Sequence, residues 1–487
     1  MVIESLKYKI LQQFGFAPTQ EQGQALDTFV SFLTDRDPQS VMILRGSAGT
    51  GKTSLSGAIV RTLLQIRQKV MLLAPTGRAA KVFSLGSGAP AYTIHRRIYR
   101  EKAFAGVDGQ FSLNDNLYTD TLFMVDEASM IANMGLGGTT FGSGCLLDDL
   151  VKFVYRGHTA RLLLIGDKAQ LPPVGEEESP ALSASVMEGY GLKVYECDLN
   201  EVLRQSQSSG ILYNATLIRQ MITHDAVTGL PLIRFKGFAD IVMMPGAELV
   251  ESLGDSYHHV GMDETMVITR SNKRANIYNN GIRNMVLDRE EELSSGDMLM
   301  IVKNNYFWTE KEKKESGEES AGAVPAFLAN GDRAKVLRVS NYIELYGFRF
   351  ATLLLQLPDY DDYEMQVTGM LDTLQSEAPA LTHEQQEELF RQVEEDYQHF
   401  VPLKADRMKS IRQDAYFNAL QIKYAYAVTC HKAQGGQWAH VYVDQGYMTD
   451  DMLTPDYIHW LYTAFTRATD KLFLVNWPKE QTCEPTD

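Results

Sequence analysis

At 487 residues the chain is too long for one hydrophobic core and predicts about three domains of ordinary size. Hydrophobic residues at 44% and charged residues at 22% fit a globular protein, and no run of eighteen apolar residues offers a transmembrane helix. The net charge of -16 argues against a protein that coats nucleic acid through a basic surface, so any nucleic-acid site must be a local groove.

The first stretch, "MVIESLKYKILQQFG", is charged throughout and lacks the apolar core and cleavage site of a signal peptide. The four cysteines are scattered without CxxC spacing, which argues against a zinc site and a disulfide framework and fits a cytoplasmic protein.

"SVMILRGSAGTGKTSLSGAIVRTLLQ" reads as a buried strand, a glycine-rich turn and a helix. Residues Gly46, Ser47, Ala48, Gly49, Thr50, Gly51, Lys52 and Thr53 fit GxxxxGK[ST], the phosphate-binding P-loop. The glycines let backbone N–H groups turn inward around phosphates, and the helix N-terminus adds its positive end. Lys52 can reach the β- and γ-phosphates of a nucleotide, and the Thr53 hydroxyl can bind Mg2+. Alone, this motif means nucleotide binding and no more.

Three further apolar runs follow: "KVMLLAPTG" (69–77), "TLFMVDEA" (121–128) and "ARLLLIGD" (160–167). Each ends in polar residues, as the strands of a covered parallel sheet do, with ligands at the strand ends. Asp126 and Glu127 end one of these strands. Adjacent carboxylates there can divide the work, Asp126 holding Mg2+ and Glu127 orienting or deprotonating the attacking water. Gln170, in "GDKAQLPPV", is placed to sense the γ-phosphate.

Between these strands, "FAGVDGQFS" (104–112) predicts a β-hairpin with Asp108-Gly109 in its turn. "MGLGGTTFGSG" (134–144) reads as a mobile loop. From 291 to 420 the pattern changes. "GDMLMIV", "DRAKVLRV" and "FRFATLLLQL" read as strands, "KEKKESGEESAG" as a flexible charged loop, and "LTHEQQEELFRQVEEDYQHF" as a helix with Thr382 and Gln385 in capping-box spacing. Near the end, "AVTCHKAQGGQW" (427–438) joins an apolar segment, Tyr424 to Val428, to the strand "AHVYVDQ". Trp438 reads as core.

The ordered set "GSAGTGKT", "APTGRAAK", "TIHRRI", "VDEASM", "GDKAQLPPV", "NEVLRQ", "VTCHKAQGGQ" and "YTAFTRA" resembles the superfamily 1 helicases, specifically the RecD/Dda-like branch. The resemblance runs from "TQEQ" at residue 19 to residue 468. It implies an α/β fold of two RecA-like P-loop NTPase motor domains, with a β-hairpin pin and an inserted SH3-like β-barrel. The expected boundaries are 1–195 for the first motor domain, with the hairpin at about 100–120. The second motor domain is expected at 196–290 plus 421–487, and the insertion at 291–420.

The resemblance also implies roles. Gln22 would read adenine, and the turn at Gly435 would lie near the nucleotide. Lys52, Glu127 and Gln170 would serve hydrolysis of ATP with Mg2+ held at Thr53 and Asp126. Arg204 and Arg467 would reach the γ-phosphate, where guanidiniums stabilise the charge of phosphoryl transfer. Thr76 and His95, then Thr269, Asn272, Thr429 and His431, would contact the DNA backbone, since small polar groups and histidines suit phosphate and sugar contacts. A glutamate that binds ribose in helicases of the opposite polarity is replaced here by Gln437. The partners implied are single-stranded and forked DNA, with no membrane, and the chain is expected to act as a monomer in repair or recombination. The expected activity is 5′ to 3′ translocation and duplex unwinding. The other readings are an RNA or protein–DNA remodelling ATPase on the same fold, and a P-loop kinase. The kinase would have no need of Arg204, His431 or Arg467.

Overall fold

The computed structural model describes residues 2–105, 108–135, 142–202, 208–223, 229–320, 324–325, 327–449 and 452–483. These form two compact units: 1–243 with 433–439 and 447–487, and 244–432 with 440–446.

The first unit is built on six strands: Ser40–Gly46 (β1), Lys69–Ala74 (β2), Ala91–Thr93 (β3), Thr121–Val125, Arg161–Gly166 and Lys193–Leu199. Between β3 and Thr121 lies a hairpin of Tyr99–Ala105 (β4) and Asp108–Leu113 (β5), so the remaining three strands are β6, β7 and β8. The sheet order is β3-β2-β6-β7-β1-β8, and every pairing is parallel. Parallel strands need covered faces, and both are filled here. Met42, Leu44, Leu163 and Ile165 pack to one side with Phe29 and Leu55; Val41, Ile43, Phe123 and Leu164 pack to the other with Leu150 and Phe153. That alternation explains the unbroken apolar runs in the sequence.

The hairpin exists, but its register differs from the expected one. Ala105 pairs with Asp108 and Phe104 with Gly109, so Asp108 and Gly109 belong to β5. The register follows burial. It pairs Tyr99 with Leu113 and lays Leu113 and Phe111 against the core, and an odd shift would turn that face to solvent. The glycine-rich loop falls partly outside the described residues, at 136–141.

Ile241–Met244 (β9) leads to the second unit, which opens with Thr265–Thr269 (β10). A closed barrel follows, of Met298–Ile301 (β11), Arg333–Leu345 (β12), Phe348–Leu357 (β13), Tyr363–Met370 (β14) and Leu420–Tyr424 (β15). Four pairings are antiparallel, β11–β12, β12–β13, β13–β14 and β11–β15, and a short parallel contact of β14 with β15, Gly369 opposite Leu420, closes the ring. Gly369 has no room for a side chain, because a Cβ there would collide with Leu353. Beyond the barrel, Ala427–Thr429 (β16) and residues 440–444 of Trp438–Asp444 (β17) flank β10 in parallel. Ala468–Val475 (β18) belongs to the first unit.

One expectation in this region is overturned. "KEKKESGEES" lies on a helix, Phe307–Ser320, and is not a flexible loop. Alternating Lys and Glu are good helix formers whose opposite charges meet at one-turn spacing. The helix is anchored at its start by Trp308, which is 4% exposed and donates its indole N–H to the Asn418 carbonyl at 2.9 Å. The other helix is where the capping box put it, at His383–Gln398, with both reciprocal bonds between Thr382 and Gln385 formed. Among the described residues, no helix is long and apolar enough to cross a membrane.

Candidate nucleotide and nucleic-acid sites

The loop Gly46–Thr53 joins β1 to the helix Lys52–Gln65. Gly49 and Gly51 have φ of 78° and 76°, which side chains other than glycine rarely adopt. A Cβ on Gly46 would press on Thr50 Oγ1 at 3.0 Å and on Lys52 Cδ at 3.2 Å. The Lys52 ammonium lies inside the loop, donating to the Gly46 carbonyl and, at 3.3 Å, to that of Gly166 on β7. The result is a glycine-rich turn with a cation inside it at a helix N-terminus, a combination suited to polyphosphate.

Asp126 and Glu127 follow the end of β6. Glu127 is held at φ 52°, a left-handed backbone that costs energy for a residue with a side chain and that clusters at functional sites. Its N–H donates to Asp126 Oδ1 at 2.9 Å. Burial and then the neighbouring Glu127 charge push Asp126 up to about 6, while Lys52 pulls it down. A carboxylate at that position and the Thr53 hydroxyl are both oxygen donors, the ligand type that Mg2+ takes.

Gln170 sits between these carboxylates and the far end of the chain. In the amide orientation that satisfies both neighbours, its nitrogen donates to Glu127 Oε2 at 3.2 Å and its oxygen accepts from Arg467 Nη2 at 3.2 Å. Arg467 is 3% exposed, and its other donors hold the Gly436 carbonyl at 3.1 Å and the Thr463 carbonyl at 3.1 Å. So three expected hydrolysis residues, Glu127, Gln170 and Arg467, form one chain of hydrogen bonds. Arg204 lies outside the described residues.

Gln22 caps the helix Gln20–Thr34 and is 1% exposed. Its carbonyl accepts from the Thr19 N–H at 3.0 Å and its amide donates to the Thr50 carbonyl at 2.8 Å, which ties that helix to the P-loop. Gly435 has φ 74° and lies against Thr76, whose Oγ1 a Cβ there would meet at 3.0 Å. Thr76 in turn caps the helix Gly77–Ser87 through the Ala79 N–H. Arg78 stacks over Trp438 at 4.5 Å and donates to the Gln437 carbonyl at 2.6 Å. Trp438 is core, as expected, at 2% exposed. His95, on the short helix Ile94–Ile98, is pushed down to about 4 by burial and is therefore neutral near pH 7.

The second unit carries the other expected DNA contacts. His431 is exposed, and Thr429 and Asn272 are half-buried. The segment that leads to them is fixed by Asn279, whose side chain accepts from the Tyr426 and Ala427 N–H groups at 3.1 and 2.7 Å. Thr269 differs from its expected role. It is 0% exposed and donates to the Ser271 carbonyl at 3.1 Å, so in this arrangement its hydroxyl shapes the turn after β10 and faces no solvent. Lys432 contacts Asn330, and burial and nearby Lys423 pull it down to about 8.

Three residues at the site carry no motif signal strong enough to single them out. Tyr462 donates to Asp167 at 2.7 Å and its hydroxyl accepts from the P-loop Ala48 N–H at 3.0 Å. Arg219 donates to the Ser47 hydroxyl. Gln434 donates to the Leu171 carbonyl at 2.7 Å. Tyr462 and Gln434 stand inside "YTAFTRA" and "HKAQGG", so those quoted segments were the available hint. Nothing in the sequence distinguishes Arg219.

Two family models match the chain: an AAA domain over residues 17–229 and a UvrD-like helicase C-terminal domain over residues 424–475. The ATP-dependent RecD2 DNA helicase of Deinococcus radiodurans is 31% identical over 157 residues, 32% of this chain and 18% of that protein. The ATP-dependent DNA helicase dda of Enterobacteria phage T4 is 26% identical over 265 residues, 53% of this chain and 55% of that protein. The chain therefore spans little more than half of the second relative and under a fifth of the first. Among solved structures, the Pif1 helicase from Bacteroides in complex with ADP-AlF3 and ssDNA aligns with a TM-score of 0.46 at 14% identity, covering 97% of this chain and 95% of that one.

Proposed function

We propose, from the premise that the chain belongs to the RecD/Dda-like branch of the superfamily 1 helicases, that it is an ATP-dependent DNA helicase moving 5′ to 3′ on single-stranded DNA. The observation that carries the hydrolytic half is the hydrogen-bonded line Glu127–Gln170–Arg467 beside the P-loop. It supports a division of labour. Lys52 and the loop amides hold the phosphates, and Thr53 and Asp126 would hold Mg2+. Glu127 orients the water, while Gln170 and Arg467 respond to the γ-phosphate. Mg2+ would supply charge neutralisation between the phosphates when bound. Arg204 and Gly435 keep their expected places in this reading, and Gln22 keeps its own as the adenine contact.

The DNA half rests on Thr76 and His95 in one set and Asn272, Thr429 and His431 in another, side chains suited to backbone contacts that do not read sequence. Thr269 would act by shaping the turn before Asn272. The β4–β5 hairpin would serve as the pin and the five-stranded barrel, whose last strand runs past the expected boundary at 420 to Tyr424, as the SH3-like insertion. Single-stranded and forked DNA are the proposed partners of a monomer working in the cytoplasm, in repair or recombination.

Two assays test this. The ATPase rate should rise with single-stranded DNA, and rise less with single-stranded RNA. A duplex with a 5′ tail should be unwound and one with only a 3′ tail should not. Efficient unwinding from the 3′ tail would overturn the polarity. A rate unchanged by either nucleic acid would overturn the motor reading and leave a simple nucleotide hydrolase.

A further inference from the structure

We propose that Arg219 reads the terminal phosphate of the nucleotide, so that its guanidinium separates the triphosphate from the diphosphate at the P-loop; this rests on the reading of that loop as the nucleotide site. Arg219 lies on the helix Gly210–Thr223, which is fixed at its start. Asp240 accepts from the Gly210 N–H at 2.7 Å and from the Ser209 hydroxyl at 2.5 Å. A Cβ on Gly210 would meet Phe238 at 2.6 Å, so the helix start sits tight on that ring. Asn214 adds two bonds to Arg234, at 2.9 Å each. A helix held this firmly delivers its side chains to a set place.

The place is the second residue of the loop. Arg219 Nη1 donates to Ser47 Oγ. A guanidinium has five N–H donors. Among the described residues that bond is the only side-chain hydrogen bond of Arg219, its charge also acts on the Tyr462 hydroxyl, and no carboxylate forms an ion pair with it. The next loop residue, Ala48, already turns its N–H to the Tyr462 hydroxyl, and Tyr462 donates to Asp167. The Lys52 ammonium lies within the same loop. The Ser47 and Ala48 N–H groups are thus both bonded already, to the Leu199 carbonyl and to Tyr462, so at this end of the loop it is the Arg219 fork that has donors, four of them, to offer. If Arg219 served only to latch the helix to Ser47, any neutral donor would do. A half-buried cation without an anion beside a phosphate loop is suited to bidentate capture of a phosphate.

The test is equilibrium binding of a non-hydrolysable ATP analogue, AMP-PNP, and of ADP to the full chain and its variants. Arg219→Ala should weaken AMP-PNP about tenfold or more, the scale of one charge-assisted phosphate contact, and ADP by less than about twofold. Arg219→Gln keeps a donor for Ser47 without the charge and should match Arg219→Ala. If both nucleotides weaken together, if neither weakens, or if Arg219→Gln binds like the unaltered protein, the assignment is wrong. Lys52→Ala separates this from the underlying reading. Should that variant bind AMP-PNP normally, the P-loop itself has been misread. If Lys52→Ala is impaired and Arg219→Ala is not, Arg219 alone is excluded.

Discussion

The P-loop body and the barrel solve opposite problems of assembly. Around the P-loop, the site draws on Gln22, Lys52, Glu127, Gln170, Arg219, Tyr462 and Arg467, side chains spread over most of the chain's length. The barrel is made mainly of neighbours: β12 pairs with β13 and β13 with β14 through short turns, and only β11 and β15 close over distance. A site gathered from afar should fail by losing chemistry while the fold survives. A locally wound barrel should fail by losing stability while the chemistry survives. Substitutions in each region can break that contrast.

The largest expected effect is at Arg467. By analogy with other arginine fingers, Arg467→Ala should lower kcat by about 10³-fold or more. Because Arg467 also holds the Gly436 and Thr463 carbonyls, a melting curve must accompany the rate. Arg467→Lys keeps the charge but cannot span both carbonyls and Gln170, and should recover little of the rate. Near-normal turnover in a folded Arg467→Ala protein would place the cation elsewhere.

Next comes Glu127→Gln, expected to cost about 10²- to 10⁴-fold in hydrolysis, the usual range for a lost general base, with AMP-PNP binding kept. The left-handed backbone of Glu127 does not depend on its charge, so the fold should be unchanged. Normal hydrolysis by this variant would show that the carboxylate orients nothing.

In the barrel, Phe350 is 0% exposed, packs with Met370 and Leu389 and meets Tyr416 edge-on at 5.2 Å. Phe350→Ala should destabilise by about 3 to 5 kcal/mol through lost burial and a cavity. Nucleotide affinity at a temperature where the protein is folded should be unchanged. A large loss of affinity there would mean that the two regions are not independent.

The same contrast governs what could be read in advance. The P-loop, the carboxylate pair and Gln170 were legible because each combines a residue type with a backbone setting that few other functions need: glycines before a helix, acids at a strand end. Gln22 was legible as a motif residue, yet its bond to Thr50 depends on how a helix packs, which no local pattern encodes. Arg219 and Tyr462 were hidden for that reason. Thr269 misled because a threonine that ends a strand looks the same in sequence whether its hydroxyl faces a ligand or, as here, a carbonyl. In the barrel the runs of β11, β12 and β13 stand out as strands, whereas those of β14 and β15 do not. The charged run after Trp308 has the polarity of a loop, but its helix propensity and its buried anchor make it a helix.

The smallest effect is the sharpest comparison, because the same device occurs in both regions. Thr19 with Gln22 and Thr382 with Gln385 are both complete capping boxes, each with the threonine hydroxyl on a backbone N–H and the glutamine reaching back. Removing either hydroxyl should cost about 1 kcal/mol, the usual worth of such a cap. The two differ in what the glutamine touches. Gln385 belongs to an exposed helix start and serves only the cap. Gln22 is buried and also donates to the Thr50 carbonyl inside the P-loop. Thr382→Ala should therefore lower the melting temperature slightly and leave nucleotide affinity alone. Thr19→Ala frees Gln22 to shift and should lower both, with AMP-PNP and ADP affected alike, since the Thr50 contact lies on the loop rather than at the terminal phosphate. Equal melting shifts with no change in nucleotide affinity for Thr19→Ala would mean that the Gln22 bond holds helix to loop without tuning the loop, and that the first cap is as local as the second.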